Sequence, residues 1–206
     1  MPGYPIELDL IGQRVLVVGL GVVGRRKARG LLAAGARVLG VDPRANDIEA
    51  PEGIEARAED YRAEHLQGMR LAIAAATREV NRRVVADAKG FGIWVNTATE
   101  PGAGEFRLPA VWRDGPLTLT VATGGASPAL AARLRDRAAR ALGSEAAVLA
   151  GVLAELRPIA LARVADPEHR RRCLERWAGP RGLRLCAEQG PAAVREAILR
   201  EIDSIK

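Results

Sequence analysis

Short apolar runs alternate with stretches of helical periodicity over the first half of the chain. The apolar runs predict strands at 14–18, 37–41, 54–56, 71–75 and 93–95. Most of them are almost continuously apolar, which is typical of strands buried on both faces of a parallel sheet. Apolar residues recur at helical spacing over 22–34 and 80–89. This alternation of strand and helix predicts an α/β fold with a doubly wound parallel sheet.

The pattern changes near Trp112. Residues 117–121 alternate between apolar and polar, as a half-buried strand does. Ser127 and Pro128 then predict a helix start, with a serine N-cap and a proline in the first turn, and this helix is predicted to reach Leu142.

From Ser144 onward the sequence is mostly helical. Breaks are predicted near Pro158, near Pro167 and in the loop 179–182. This organisation predicts three parts, with bounds at 1–112, 113–143 and 144–206.

Composition describes an ordinary globular protein, since 48% of the 206 residues are hydrophobic and 27% are charged. The formal net charge is +6, and 28 of the 31 basic residues are arginine. Residues 1–112 carry a net charge of +1 and residues 113–206 one of +5, so the second half suits an anionic partner. We predict no nucleic acid partner, because no nucleic-acid-binding motif is present and aromatic residues make up only 3%.

The cysteines and the N-terminal residues indicate the cellular compartment of the chain. Cys173 and Cys186 cannot make a disulfide framework, and their spacing fits no zinc motif. The sequence begins without the basic and apolar regions of a signal peptide, and no run approaches the roughly 20 apolar residues that span a bilayer. We therefore expect a reduced, cytoplasmic chain with no membrane partner and no metal site.

Gly19, Gly21 and Gly24 form a GxGxxG pattern between the first strand and the first helix. Gly19 permits a tight turn, Gly21 lets the backbone approach a pyrophosphate, and Gly24 lets helix and strand pack closely. Val22 and Val23 begin the helix whose N-terminus faces the phosphates. The pattern predicts a dinucleotide site, with a plain turn and a methyl-donor nucleoside site as alternatives.

Asp42 ends the second strand, 21 positions beyond Gly21. A carboxylate about 20 residues on accepts hydrogen bonds from the adenosine ribose hydroxyls, which favours NAD over NADP. Arg44 weakens this preference, because a nearby arginine can accommodate a 2′-phosphate. We predict NAD as cofactor, with Asp42, Pro43 and Arg44 among its contacts.

The positions of the tyrosines exclude a short-chain dehydrogenase, and those of the histidines argue against a histidine-centred hydride transfer. A short-chain dehydrogenase needs a tyrosine followed four positions later by a lysine, whereas the tyrosines are Tyr4 and Tyr61, and residue 65 is a histidine. His65 lies in a polar stretch and His169 precedes three arginines. Both are predicted to be surface residues rather than catalytic or metal-binding ones.

Further stretches carry a more specific signal: 4–10, 12–19, 26–28, 71–83, 95–96 with Pro101, and 116–128. In this order they resemble the siroheme synthase family, in its precorrin-2 dehydrogenase and sirohydrochlorin ferrochelatase part. The last stretch contains Gly-Gly-Ala-Ser-Pro at 124–128, outside the dinucleotide pattern. Chance similarity to another dinucleotide-binding protein does not explain it.

The resemblance implies oxidation of precorrin-2 to sirohydrochlorin with NAD⁺, followed in some members by insertion of ferrous iron. It implies a homodimer with a Rossmann domain over 1–112, a dimerisation region over 113–143 and a helical substrate-side domain over 144–206. A macrocycle with eight carboxylates also suits the basic second half. The matching positions give the candidate substrate contacts Asn96, Thr123, Gly124, Gly125 and Ser127.

The sequence departs from the family after the fifth strand. The family typically has Asn-Val-Val-Asp, with the aspartate implicated in dehydrogenation and chelation, whereas residues 96–99 are Asn-Thr-Ala-Thr. The hydroxyl of Thr99 does not ionise near neutral pH. Glu100 can substitute if the loop turns it inward, or hydride transfer can proceed mainly through positioning. Thr99 and Glu100 are the catalytic candidates, and the departure argues more against iron insertion than against oxidation.

Two other functions stay open. One is a ferro- or cobaltochelatase that acts on sirohydrochlorin, with or without the dehydrogenase activity. The other is a non-enzymatic NAD-sensing module whose helical part binds a protein or DNA.

Overall fold

A computed structural model of the chain describes residues 3–100 and 102–205. Pro101, one of the positions that resemble the family, lies outside the described residues. Contacts between Cα atoms divide the chain into two compact units, Met1–Leu108 and Pro109–Lys206. The three-part division at 112 and 143 stays a prediction.

The first unit alternates strands and helices. Its elements are β1 (Arg14–Val18), α1 (Val22–Ala33), β2 (Arg37–Val41), β3 (Glu55–Arg57), β4 (Leu71–Ala74), α2 (Arg78–Gly90) and β5 (Trp94–Thr97). They form a five-stranded sheet in the order β3-β2-β1-β4-β5, and every neighbouring pair is parallel. The predicted α/β fold is confirmed, although β3 and β5 begin one residue later than predicted and α2 begins two residues earlier.

The central strand β1 shows why the sequence forms this sheet. Successive side chains of a strand point to opposite faces. Val15 and Val17 are buried in the core that includes α1, whereas Leu16 and Val18 are buried in the core that includes α2. Both faces of β1 are therefore covered, which explains its continuous apolar run.

The functional end of this unit is the edge where the parallel strands end. β2 lies on one side of β1 and β4 on the other, so the strand order reverses at β1. Ligands of open parallel sheets bind at the carboxyl ends of the strands, at such a reversal. The loops after β1, β2, β4 and β5 all meet at this edge.

The second unit begins with an antiparallel hairpin and continues with helices. Its elements are β6 (Ala110–Asp114), β7 (Leu117–Val121), α3 (Pro128–Leu142), α4 (Ser144–Arg163), α5 (Pro167–Trp177) and α6 (Pro180–Ser204). β7 and α3 have the predicted bounds. β6 was not predicted, because the strand is only partly buried and ends in two charged residues.

One predicted break in the helical part is wrong, and another is displaced by about a residue. α4 runs through Pro158, which lies on the exposed side of the helix while Leu156 and Ala160 are completely buried. An interior proline costs about 3 kcal/mol, and burial of these neighbours offsets that cost. The break predicted at 179–182 is present but lies at 178–179, because α5 ends at Trp177 and α6 begins at Pro180 after the N-cap Gly179.

A kink in α6 was not predicted. Gly190 has a φ of +80° inside the helix, and Pro191 follows it. Glycine adopts this left-handed conformation readily, and the proline nitrogen has no hydrogen to donate to the preceding turn.

The prediction that His65 is a surface residue is also wrong. His65 is 6% exposed and lies in a short 3₁₀ helix, Ala63–Leu66, whose Leu66 belongs to the core. Its Nδ1 accepts a hydrogen bond from Arg62 N at 3.0 Å, and its Nε2 lies 3.1 Å from Glu59 Oε1. Because Nδ1 accepts, the ring proton lies on Nε2 and is donated to Glu59. These two partners make burial of the imidazole possible.

Candidate functional site

Three glycines shape the loop between β1 and α1, each for a different reason. Gly19 has a φ of +91°, and a Cβ there would lie 2.6 Å from main-chain atoms of Ala75. A Cβ on Gly24 would lie 1.8 Å from the carbonyl oxygen of Gly19, so α1 can approach the strand only at a glycine. A Cβ on Gly21 would meet nothing within 4 Å. Gly21 therefore leaves open space beside the loop, as a bound pyrophosphate requires.

The N-terminus of α1 is open to an anion. Gly21 precedes the helix, so no side chain caps the first turn, and no acidic residue lies in that turn. Val22 and Val23 begin the helix and are exposed. The first N–H groups of a helix have no intrahelical acceptor, and together with the helix dipole they favour a negative charge. These residues fit the pyrophosphate of a dinucleotide.

Asp42 follows β2 and holds the glycine loop. Its Oδ2 accepts a hydrogen bond from Leu20 N at 2.8 Å, and its Oδ1 accepts one from Arg44 N at 2.9 Å. The residue is only 8% exposed. Each carboxylate oxygen keeps one lone pair with which to accept a hydrogen bond from a ribose hydroxyl. Pro43 and Arg44 are exposed beside it, at the place where the sequence predicted cofactor contacts.

Asn96 is buried in β5, and two contacts fix its amide. Its Nδ2 donates to Phe106 O at 2.9 Å, and its Oδ1 accepts a hydrogen bond from Lys27 Nζ. Burial, and to a smaller extent the charge of Arg26, lower the pKa of Lys27. Sequence reasoning did not identify Lys27 as part of this site. The signal was its position one turn after Gly24, since residues at that spacing share a face of the helix.

Thr99 is exposed in the loop after β5 and is hydrogen-bonded to α2. Asn81, which is 1% exposed, donates from Nδ2 to Thr99 Oγ1 at 3.0 Å and to Ala76 O at 3.2 Å. The Asn81 Oδ1 accepts a hydrogen bond from Ala76 N at 2.9 Å. A buried amide therefore connects the loops after β4 and β5 and orients the Thr99 hydroxyl. This hydroxyl can exchange hydrogen bonds with a ligand, but it does not ionise near neutral pH.

Glu100 is held by two arginines of α2. Its Oε1 accepts hydrogen bonds from Arg78 Nε at 2.6 Å and from Arg82 Nε at 2.9 Å. These hydrogen bonds, that of Arg82 first, lower the pKa of Glu100 below its ordinary value. Glu100 is therefore a carboxylate at neutral pH but a weak base while the arginines hold it. Sequence reasoning did not identify the arginine pair, although a spacing of four residues on one helix places both side chains on the same face.

The second unit carries its own candidate loop, between β7 and α3. Thr123 Oγ1 donates to Ser127 O and accepts a hydrogen bond from Ser127 N, both at 3.1 Å. Gly124 and Gly125 have φ of +64° and +92°, a conformation that suits glycine. Ser127 Oγ accepts a hydrogen bond from Leu130 N, so the predicted N-cap is confirmed. The threonine hydroxyl closes the loop and holds the two glycines at the start of α3.

Residues 3–100 and 102–205 contain neither a candidate metal site nor a candidate membrane-spanning helix. Among these residues, no three histidine, cysteine, aspartate or glutamate side chains are grouped so that they could hold a metal ion. No helix in these ranges combines the length and the apolar composition that a membrane span requires.

These features define a class of protein. A parallel sheet whose glycine loop leads into an uncapped helix, with an acidic residue ending the next strand, is a Rossmann-type dinucleotide-binding domain. Residues 6–110 match the family described as "Putative NAD(P)-binding". The predicted class of cofactor is confirmed by this match.

Residues 114–140 match the family described as "Sirohaem biosynthesis protein central". Siroheme synthase of Chromobacterium violaceum is 40% identical over 180 residues, 85% of this chain and 38% of the relative. Siroheme synthase of Methylococcus capsulatus is 37% identical over 206 residues, 98% of this chain and 43% of the relative. On these matches, the chain belongs to the siroheme synthase family. It spans about two fifths of the length of these relatives.

A solved structure supports the same fold. SirC, a precorrin-2 dehydrogenase, superposes with a TM-score of 0.69 and 24% sequence identity, covering 98% of this chain and 99% of the solved chain. The match extends over the sheet and the helical part, so the predicted fold is confirmed in both halves.

Proposed function

We propose that the protein oxidises precorrin-2 to sirohydrochlorin with NAD⁺, as a step of siroheme biosynthesis. The observation that carries this proposal is the open helix N-terminus after Gly21, at the carboxyl edge of the sheet, in a chain of the siroheme synthase family. A solved precorrin-2 dehydrogenase has the same fold. Membership of the family implies a tetrapyrrole substrate, and the glycine loop offers a binding place for the dinucleotide.

NAD rather than NADP is supported by Asp42. Its carboxylate lies against the glycine loop and is almost fully buried. A 2′-phosphate placed there would meet this negative charge, whereas a ribose hydroxyl would donate a hydrogen bond to it. The exposed Arg44 next to it is a side chain that would favour the phosphate.

The oxidation removes a hydride and a proton from the macrocycle, and NAD⁺ supplies the hydride acceptor when bound. The chain's own residues position the substrate, and the proton passes to Glu100 or to water. Asn96 presents an amide that Lys27 and Phe106 fix in one orientation. Thr99 cannot take the proton, and Glu100 is a weak base in its ion pair. Positioning of the two reactants therefore contributes most of the acceleration that this site can provide.

Substrate carboxylates are the second element of the proposal. In the second unit, the positive end of the α3 helix dipole lies at the Thr123–Ser127 loop, where it favours an anion. The net charge of +5 over residues 113–206 attracts a polycarboxylate to this half of the chain. We assign the Thr123–Ser127 loop to one carboxylate of the macrocycle.

A homodimer is supported by the apolar surface of α3. The helix packs on the β6–β7 hairpin, and its outer side exposes Leu130 and Leu134, at 48% and 41%. Leucines four residues apart on one exposed helix face suit a second copy of the same surface. Sedimentation equilibrium should give twice the chain mass, and Leu134→Asp should give the monomer mass. A monomeric wild-type chain would refute the assignment.

We place the protein in the cytoplasm, since Cys173 and Cys186 are free thiols, as in a reducing compartment.

Turnover tests the proposed activity. Purified protein with NAD⁺ and freshly made, anaerobic precorrin-2 should yield NADH together with the absorption spectrum of sirohydrochlorin. Gly21→Asp should abolish this turnover, because it places charge and bulk where the pyrophosphate binds. No turnover by the wild-type protein would reject the proposal. Metal insertion into sirohydrochlorin without NAD⁺ would indicate a chelatase instead, and tight NAD⁺ binding without tetrapyrrole affinity would indicate a sensor.

A further inference from the structure

Two arginines and a glutamate form a charged cluster beside Thr99, and the proposed function gives the arginines no role. Arg78 begins α2 and Arg82 lies one turn later. Both guanidinium groups converge on a single oxygen, Glu100 Oε1, at 2.6 and 2.8 Å. The cluster lies in the first unit, at the carboxyl edge of the sheet.

The cluster keeps an excess of positive charge. Two cations face one carboxylate, so the three side chains carry a net charge of +1. The arginine side chains are 68% and 63% exposed, whereas the glutamate side chain is 22% exposed. A guanidinium has five N–H donors, so the contacts with Glu100 through Nε of Arg78 and two nitrogens of Arg82 leave further donors on these two exposed side chains. The pair can therefore bind a second carboxylate, or exchange Glu100 for one.

The loop that carries Glu100 is held by other contacts. Ala98 N donates to Ala74 O at 2.9 Å, which continues the pairing of β4 with β5. The Thr99 hydroxyl accepts a hydrogen bond from the buried Asn81. The Glu100 side chain can therefore rotate away from the arginines without loss of the loop conformation.

We propose that Arg78 and Arg82 form a binding subsite for a carboxylate of the substrate, and that Glu100 occupies this subsite when no substrate is bound. This inference rests on the proposed function, because the tetrapyrrole is the polycarboxylate concerned. Exchange of one carboxylate for another preserves the charge-assisted hydrogen bonds of both arginines. It also frees Glu100 beside Thr99, and release from the arginines raises the pKa of Glu100 toward its ordinary value, which makes it a better proton acceptor there.

Titration of the full chain with sirohydrochlorin tests the subsite. The double variant Arg78→Gln, Arg82→Gln should weaken binding about tenfold, since it removes two exposed charge-assisted contacts. Glu100→Gln should strengthen binding about threefold, because it removes the internal competitor. Arg29→Gln, which changes an exposed arginine of α1, is the matched control and should bind as the wild type does.

The outcomes separate the subsite from the proposed function. If the wild type binds sirohydrochlorin and the double variant binds it equally well, the subsite is refuted and the proposed function stands. If Glu100→Gln weakens binding as much as the double variant does, the cluster is a structural ion pair and the subsite is again refuted. If the wild type binds no sirohydrochlorin, the subsite is refuted, and turnover of precorrin-2 with NAD⁺ decides the proposed function separately. The NAD⁺ dissociation constant, measured on each variant, should stay at the wild-type value and reports that the first unit is folded.

Discussion

Replacing Gly24 with alanine should destabilise the first unit and weaken NAD⁺ binding together. The added Cβ would lie 1.8 Å from the carbonyl oxygen of Gly19 and 2.9 Å from its carbonyl carbon. Both are main-chain atoms of the glycine loop, so no side chain can rotate away to make room. The helix α1 must move outward, and with it the N-terminus that faces the phosphates.

The expected size of the effect follows from this geometry. Overpacking against a well-filled interior costs about 1–3 kcal/mol, and a clash with main chain belongs at the upper end. A loss of about 3 kcal/mol lowers the melting temperature of a protein of this size by roughly 10 °C. Two matched variants lack the clash, because a Cβ on Gly21 or on Gly30 meets nothing within 4 Å.

Thermal unfolding followed by circular dichroism, together with calorimetric titration with NAD⁺, separates the three variants. Gly30→Ala lies in the interior of α1 and should raise stability by about 0.5–1 kcal/mol without affecting the dissociation constant. Gly21→Ala should change stability by less than about 0.5 kcal/mol but weaken NAD⁺ binding. Gly24→Ala should lower the melting temperature and also weaken NAD⁺ binding. Wild-type melting of Gly24→Ala would refute the close approach of α1 to the loop.

Three further predictions concern single carboxylates. Asp42→Ala should lower the free energy of unfolding by about 1–3 kcal/mol, because the buried Leu20 N–H loses its acceptor. Calorimetric titration with NADP⁺ should show no gain in affinity, since the variant also disturbs the glycine loop. Glu201→Ala should lower the free energy of unfolding in urea by about 1–3 kcal/mol, because the buried Trp177 Nε1 loses its acceptor at 2.9 Å. Glu201→Gln keeps an acceptor oxygen and should lower it by less. The pKa of Glu59 is lowered, chiefly by its hydrogen bond from the buried His65, so the carboxylate stabilises the fold above the ordinary pKa of a glutamate and loses this effect as the pH falls through the lowered value. Glu59→Gln should therefore flatten the acid side of the curve of stability against pH. An unchanged curve would contradict this.

Much of the fold could be predicted because it depends on local patterns. The strands at 14–18 and 117–121 and the start of α3 at Ser127 have the predicted bounds, since hydrophobic period and capping chemistry act over a few residues. Pro158 misled the prediction, because tertiary burial of its neighbours outweighs a local helix-breaking preference. His65 misled it as well, because burial of a polar ring depends on partners that only the folded chain brings together.

The site divides in the same way. The glycine loop could be predicted in detail, since its spacing within one strand–turn–helix unit carries the geometry. The contact of Lys27 with Asn96 joins residues 69 positions apart, and that of Arg78 with Glu100 joins residues 22 apart. No spacing rule reaches across a sheet or between two loops, so these contacts became visible only in the folded chain.

This chain has Thr99 where the family pattern has an aspartate, and the neighbouring charges define the physical consequence of that difference. A carboxylate at 99 would receive the hydrogen bond that Asn81 now donates to the hydroxyl, and it would stand beside the cluster of Arg78, Arg82 and Glu100. With threonine there, the two arginines have one carboxylate between them instead of two. The edge of the sheet is thereby one unit more positive, which favours binding of an anionic macrocycle and disfavours binding of a metal cation at the same place. Under the proposed function, the same substitution therefore favours binding of the polycarboxylate and opposes binding of a metal cation, through charge alone.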